Sequence, residues 1–181
     1  TFVTDFGEEG PPSAASTTLD VTSNQEVTVT MDDAHRPSGN YNFTDSGGKK
    51  RIYRSNTGSA YTDFQFVAEV SYGTETYADT TLPAALGEVL PSGGWIGPPD
   101  DDASVYPDGP LQGLIAIGRG VFAGFTGNRF CLSEAYLPHA WPIAYRITLE
   151  DPIVGIAGTG NGVVALTNGA LILLLELTQQ Q

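Results

Sequence analysis

Short bursts of alternating apolar and polar residues fill the first half of the chain. Apolar side chains recur at every second position in EVTVTM, residues 26–31, and in FQFVAEV, residues 64–70. Because successive side chains of a strand point to opposite faces of a sheet, this spacing predicts half-buried antiparallel strands. Turn-rich segments such as HRPSGNYN separate them. Residues 1–90 are therefore predicted to form a β-sandwich, in which the charged run KKRIYR is an exposed strand face.

The second half, residues 111–181, has a different rhythm because it repeats itself. LIAIGRGVFAGFTGNRFCL aligns with IVGIAGTGNGVVALTNGALIL, so that Val121 falls on Val163 and the turn Gly127-Asn128 falls near Asn168-Gly169. Each copy reads as three apolar strands joined by turns that need positive φ angles. A period of roughly 42 residues built from short antiparallel strands is typical of β-propeller blades, and two blades cannot close a ring.

Residues 91–110 are rich in Pro, Gly and Asp and predict a linker or long loop between the halves. Asp100, Asp101 and Asp102 are weak candidates for a calcium site. An EF-hand needs oxygen ligands at alternate positions followed by a distant glutamate, and this spacing is absent. A solvated acidic loop is the favoured interpretation, and no metal or other cofactor is predicted.

Composition and charge exclude several classes of function. The chain of 181 residues carries 8 basic and 21 acidic residues, a formal net charge of -13, so phosphate backbones and anionic membranes are repelled. Neither specific nucleic-acid binding nor membrane insertion is predicted, since the longest apolar run is far too short to span a bilayer. A lone Cys131 within RFCLS predicts a small buried hydrophobe rather than a catalytic thiol.

The segment SEAYLPHAWP, residues 133–142, is the main candidate for function. A hydrolase would use Ser133, Glu134 and His139, but adjacent strand residues point to opposite faces and no nucleophile elbow surrounds the serine. A glycosidase would pair Glu134 with Glu150 or Asp151, although nothing in the sequence fixes their separation. No catalytic residue is therefore assigned, and the chain is predicted not to be an enzyme.

Two non-catalytic interpretations of this segment stay open. Amphipathic aromatics suit a platform on which a glycan stacks, with Trp95, Trp141 and Tyr145 as candidates. Prolines restrain the backbone and the residues before them, which favours a stiff corner that contacts another module or subunit. The residues predicted for that corner are Tyr136, Leu137, Pro138, His139, Trp141 and Arg146.

Several stretches carry a resemblance to known modules. TFVTDFGEEGPPSAAS and KKRIYRSNTGSAYTDFQFVAEVSYGTETYADT resemble strands of a fibronectin type III domain. The wider run, from RIYRS through LGEVLPS and GLIAI to SEAYLPHAWP, resembles tail or tail-tube-terminus proteins of tailed bacteriophages. This resemblance implies a fibronectin-like sandwich followed by two propeller-like antiparallel blades.

The resemblance implies a structural role in the virion, with other tail proteins as partners and a homo-oligomeric ring as the assembly. A carbohydrate-binding adhesin module that contacts host-surface glycans is the alternative. Strands that are apolar on both faces, as in ALILLL, also predict neighbours on either side. We therefore expect the chain to be part of a larger polypeptide or to complete its sheets with a partner.

Overall fold

The protein is all-β. In the computed structural model, the described part of the chain contains twelve strands in four antiparallel sheets, together with two 3₁₀ turns, Pro83–Ala85 and Ile143–Tyr145. The predicted fold class is confirmed at this level. The residues described are 1–22, 25–31, 42–44, 46–55, 63–100, 102–104, 106–159 and 162–176, with backbone alone over 171–176.

The chain divides into two compact units, Thr1–Gly93 and Gly94–Gln181. The first unit has a three-stranded sheet in the order β1-β3-β4 and a two-stranded sheet of β2 and β5. Both alternating stretches of the sequence form strands, as predicted. The strands are β1 (Phe2–Val3), β2 (Val27–Thr30), β3 (Lys49–Ser55), β4 (Phe64–Ser71) and β5 (Thr76–Asp79).

An aromatic cluster packs beside the first sheet. The ring of Tyr72, which is 2% exposed, stacks on Phe43 with centroids 5.1 Å apart and meets the ring of Phe2 edge-on at 5.7 Å. Aromatic pairs in these geometries stabilise a core beyond the area they bury.

The prediction that KKRIYR is an exposed strand face is wrong at Lys50. This residue lies in β3, is 3% exposed and donates from Nζ to the carbonyl of Thr74 at 2.7 Å. Alternate residues of β3 face inward, and the long aliphatic stem of a lysine can be buried when its ammonium group reaches an acceptor.

Glu9 is the centre of a buried polar network in the first unit. Its carboxylate, with 7% of the side chain exposed, accepts from Arg51 Nη1 at 2.7 Å and from the hydroxyls of Tyr53 and Thr1, each at 2.7 Å. Burial and the hydrogen bond to Glu9 raise the pKa of Tyr53. Burial alone would lower the pKa of Arg51, but hydrogen bonds to Glu69 and Glu9 outweigh it and raise this pKa.

The second unit contains two sheets. One has four strands in the order β6-β7-β8-β9, and the other has three in the order β10-β11-β12. The first strands are β6 (Gln112–Ala116), β7 (Phe122–Thr126), β8 (Arg129–Leu132) and β9 (Ile147–Thr148). The second sheet consists of β10 (Ile153–Thr159), β11 (Gly162–Thr167) and β12 (Leu171–Glu176).

The two sheets of this unit share one hydrophobic core. It joins side chains of β7 and β8 to side chains of β10 and β11, with partly buried residues such as Ile115 and Ile156 around them. The buried members are Ala123, Phe125, Phe130, Ile153, Val163 and Ala165.

Residues 94–110, predicted as part of a linker, belong to the second unit. Tyr106 is 6% exposed and donates its hydroxyl to the carbonyl of Gly97 at 2.7 Å. The carbonyl of Gly109 accepts from Thr126 Oγ1 at 2.7 Å, and a Cβ on Gly124 would overlap the side chain of Leu111. This segment therefore covers the face of β7 that is opposite the shared core.

Candidate functional site

The corner segment, defined here as residues Ser133 to Arg146, is held by its own backbone hydrogen bonds. The amide of Glu134 donates to the carbonyl of Ala140 at 2.8 Å, and the amide of Ala140 donates to the carbonyl of Leu137 at 3.0 Å. Ser133, which is 1% exposed, accepts from the amide of Phe122 at 2.9 Å and donates to the carbonyl of Glu134 at 3.0 Å. The serine hydroxyl therefore links the corner to β7 through hydrogen bonds and has a structural role.

Trp141 anchors the corner from inside. Its side chain is 2% exposed, its indole Nε1 donates to the carbonyl of Pro138 at 2.9 Å, and its amide donates to that of Ile96 at 2.9 Å. Trp95 meets the ring of His139 edge-on, with centroids 6.3 Å apart. The structure contradicts the stacking role predicted for Trp141, because the faces of a buried indole cannot receive a sugar ring.

Tyr136 is the most exposed aromatic side chain of the corner, at 76%. Its backbone adopts φ +62°, and its amide donates to the carbonyl of Gly120 at 2.9 Å. The tyrosine ring lies against Gly120, where a Cβ would overlap it, and Gly120 itself has φ +71°. A bulky residue in the left-handed region is strained and persists only where the surroundings fix it. The corner thus exposes the Tyr136 ring from a strained backbone position beside Gly120.

A 3₁₀ turn, Ile143–Tyr145, exposes two further side chains of the corner. Ile143 is 57% exposed and Tyr145 is 42% exposed. The amide of Ile143 donates to the carbonyl of Gly94 at 3.1 Å, which fixes the start of the turn. The negative charge of Glu134, together with burial and a hydrogen bond to the same carboxylate, raises the pKa of Tyr145. Sequence reasoning missed Ile143 and Gly120, since neither carries a signal of its own.

Arg146 closes the corner with a cation–π contact. Its guanidinium carbon lies 5.5 Å from the centroid of the Tyr106 ring. Nε and Nη2 of Arg146 are buried and make no hydrogen bond within the described part of the chain.

The acidic loop uses its carboxylates to shape its own backbone. Asp100 Oδ1 accepts from the amide of Asp102, and Asp102 Oδ1 accepts from the amide of Ser104, each at 2.9 Å. Asp101 lies outside the described residues. Elsewhere in the described residues, no group of three or more His, Cys, Asp or Glu side chains is placed to hold a metal ion.

Cys131 is 1% exposed, which confirms the buried position predicted for it. Burial raises the pKa of its thiol, although the positive charges of Arg146 and Arg129 act in the opposite direction. The thiol is therefore kept protonated near neutral pH.

Burial raises the pKa of Tyr106, so we expect the second unit to lose stability in alkali. An unfolded tyrosine ionises near pH ~10, and a raised folded pKa means that the unfolded chain loses its proton first. The contribution of the protonated Tyr106 phenol to the free energy of unfolding is complete below pH ~10 and is lost as pH rises through the folded pKa. Urea unfolding followed by fluorescence of Trp95 and Trp141, both in the second unit, measures the effect.

The Tyr106→Phe variant should flatten this pH dependence. Tyr145→Phe is the matched control and should change it less, since the Tyr145 side chain is 42% exposed. An unchanged alkaline slope in Tyr106→Phe would contradict the role given to the buried phenol.

The sequence matches no model of a known protein family, and no curated protein matches it. Among the described residues, no helix is long and apolar enough to cross a bilayer.

Proposed function

We propose that the chain is a non-enzymatic structural component of a bacteriophage tail and contacts a neighbouring subunit through the corner segment. The observation that carries this proposal is the fixed, exposed ring of Tyr136. The partners are other virion tail proteins, and the chain acts within the virion as part of a homo-oligomeric ring.

The corner suits a contact between proteins for energetic reasons. Side chains that are already ordered lose little conformational entropy when a partner binds. Tyrosine is also enriched at the centre of protein interfaces, where it buries a large area with few rotatable bonds. The backbone bonds of the corner and the Gly120 contact supply this order before any partner arrives.

The fold is compatible with the modules that the sequence resembles. We assign the first unit to a fibronectin type III-like sandwich, on the strength of its antiparallel strands β1 to β5 and its sequence. We assign the second unit to two propeller-like blades, supported by two antiparallel sheets built from repeated sequence around one core. Sheets of this kind associate through faces and edges, which is how a tail subunit would be joined to its neighbours.

We expect Tyr136→Ala and Ile143→Asp to prevent incorporation of the chain into tails without unfolding it. Removing an aromatic anchor from an interface costs about 2 kcal/mol or more, a loss of at least about 30-fold in affinity. Incorporation is measured by mass spectrometry of particles purified from the phage that encodes the chain. Tryptophan fluorescence checks that the second unit stays folded.

Leu114→Asp is the matched control for these variants. Leu114 is 61% exposed on β6 and lies outside the corner, so its substitution should leave incorporation unchanged. Absence of the wild-type chain from purified particles would refute the tail assignment. Equal incorporation of Tyr136→Ala and wild type would refute the corner as the contact.

A carbohydrate-binding adhesin module is the second candidate, and one observation favours it. Tyr136 and Tyr145 both expose aromatic rings, and Tyr145 lies beside the Glu134 carboxylate, a combination of stacking surface and acceptor that sugars use. A glycan array on wild type and Tyr136→Ala separates the candidates. Saturable glycan binding that Tyr136→Ala abolishes supports the adhesin, and binding to no glycan leaves the structural role.

A further inference from the structure

On β10 and β11, whose side chains the structure describes, the outer face of the second sheet of unit two carries exposed apolar residues. On β11, Val163 and Ala165 are fully buried in the shared core, whereas Leu166 is 50% exposed and points to the opposite side. Val154, on the neighbouring strand β10, is 57% exposed at a bulge. No charged residue occurs in β10 or β11, although the chain as a whole carries a net charge of -13.

The two hairpins of the unit show which faces of the two sheets correspond. The Gly127-Asn128 loop follows β7 and closes on the pair Thr126 and Arg129. The Asn168-Gly169 loop follows β11 and closes on Thr167 and Ala170, whose amide and carbonyl lie 2.9 Å apart. The closing pair of the first hairpin is therefore equivalent to the closing pair of the second, and this equivalence aligns the two copies of the repeat.

This alignment is one residue shorter than the offset of roughly 42 that the sequence alone suggests. The difference matters because a shift of one residue exchanges the two faces of a strand. With the hairpins superposed, Ala123 corresponds to Val164 and Phe125 to Leu166. The core face of the first sheet thus corresponds to the exposed face of the second.

The contact between the two sheets is consequently head-to-tail. The first sheet packs into the shared core through the face that carries Ala123 and Phe125. The second sheet packs into it through the non-equivalent face, which carries Val163 and Ala165. A heterologous contact of this type uses two different surfaces, so it leaves one of each at the ends of a stack. The exposed face around Leu166 is the equivalent, in the second sheet, of the face through which the first sheet packs into the core.

We propose that the face around Val154, Val164 and Leu166 docks another three-stranded sheet of the same kind, supplied by a neighbouring polypeptide. The docking sheet would present small and β-branched residues, as β11 presents Val163 and Ala165 to the first sheet. This inference deepens the structural role proposed above, and it rests on that role for the claim that the neighbouring polypeptide is an assembly partner. A second copy of this chain is a poor occupant, because its own Val163 and Ala165 are already buried.

A lengthened chain tests the proposal without the natural partner. A second copy of residues 133–176 is fused after Glu176, and a thiol reporter is introduced as Leu166→Cys in a Cys131→Ala background. Iodoacetamide labelling of this thiol is compared between the lengthened and the original chain. We expect labelling to slow at least about tenfold in the lengthened chain, because the added sheet covers the reporter.

Two controls sharpen the result. Leu114→Cys, on the first sheet, should be labelled at the same rate in both chains, since Leu114 lies away from the proposed face. Ala165→Asp in the added copy alone should restore fast labelling of the reporter, because a charge would then enter the contact.

Equal labelling of Leu166→Cys in both chains would overturn the proposal, whether the added copy folds elsewhere or fails to fold. Labelling that slows with concentration of the original chain would also overturn it, by assigning the face to a second copy. Neither outcome bears on incorporation of Tyr136→Ala into particles, so this proposal and the tail function can fail separately.

Discussion

Phe130→Ala should destabilise the second unit by about 3–5 kcal/mol, the cost of emptying a fully buried aromatic site. The Phe130 side chain is 0% exposed on β8 and belongs to the core that both sheets share. Its loss removes contacts within its own sheet and contacts with the opposite sheet. Urea unfolding followed by tryptophan fluorescence reports the second unit alone, because both Trp95 and Trp141 lie in it.

The shared core makes a further demand on this variant. Amides of β11, in the other sheet, should lose protection from hydrogen exchange together with those of β8, because the two sheets are stabilised by one set of contacts. Leu114→Ala is the control: a side chain that is 61% exposed should cost less than about 0.5 kcal/mol. A loss below about 1 kcal/mol for Phe130→Ala, or a loss of protection confined to β8, would contradict a common core.

The sequence predicted those parts of the fold that depend on local rules. Alternation in FQFVAEV gave β4, and the Gly-Asn and Asn-Gly dipeptides gave the two hairpins of the second unit. Both signals act over a few residues, through the two-residue period of a strand and the sharp reversal of a tight turn. The positive φ predicted for these turns occurs at Gly127, but the prediction is wrong for Asn168 and Gly169, which reverse the chain without it. The period of roughly 42 residues does not fix which face of a strand is buried, because glycines and small apolar residues align almost equally well at neighbouring offsets.

Burial of particular polar and aromatic side chains could not be predicted in this way. Trp141 is buried because its amide and indole reach carbonyls of Ile96 and Pro138, and the first of these lies far away along the chain. Lys50 is buried because Thr74 offers a carbonyl within reach. Such partners are brought together by the fold, so composition and periodicity carry no trace of them.

The corner segment combines both kinds of information. Pro138 and Pro142, which the sequence displays, restrain its backbone dihedral angles. The exposure of Tyr136 and its position against Gly120 follow from a turn with successive positive φ angles at Gly118, Arg119 and Gly120. A glycine pair around an arginine predicts a turn, but only the fold shows that the turn supports an aromatic ring on another loop.

Glu9→Ala should destabilise the first unit by about 2–4 kcal/mol, because it removes a buried carboxylate that accepts from three partly buried donors. The Glu9 carboxylate accepts from Arg51 at 2.7 Å and from the hydroxyls of Tyr53 and Thr1. Arg51 keeps a second partner in Glu69 and is 30% exposed, so water recovers part of its hydration. The Tyr53 hydroxyl loses its charged acceptor, and this accounts for much of the expected cost.

Glu69→Ala is the matched control, because it removes a carboxylate from the same arginine. The Glu69 side chain is 37% exposed and lies 2.9 Å from Arg51 Nε, so its removal should cost less than about 1 kcal/mol. Hydrogen exchange of the β3 amides at increasing urea concentrations measures the loss of stability in both variants. The urea transition of the second unit, followed by tryptophan fluorescence, should be the same as in the wild type. Equal costs for Glu9→Ala and Glu69→Ala would show that burial of Glu9 does not set the strength of this network. A larger cost for Glu9→Ala is expected because the Glu9 carboxylate is buried and serves three donors, whereas the more exposed Glu69 serves one and water replaces it more readily.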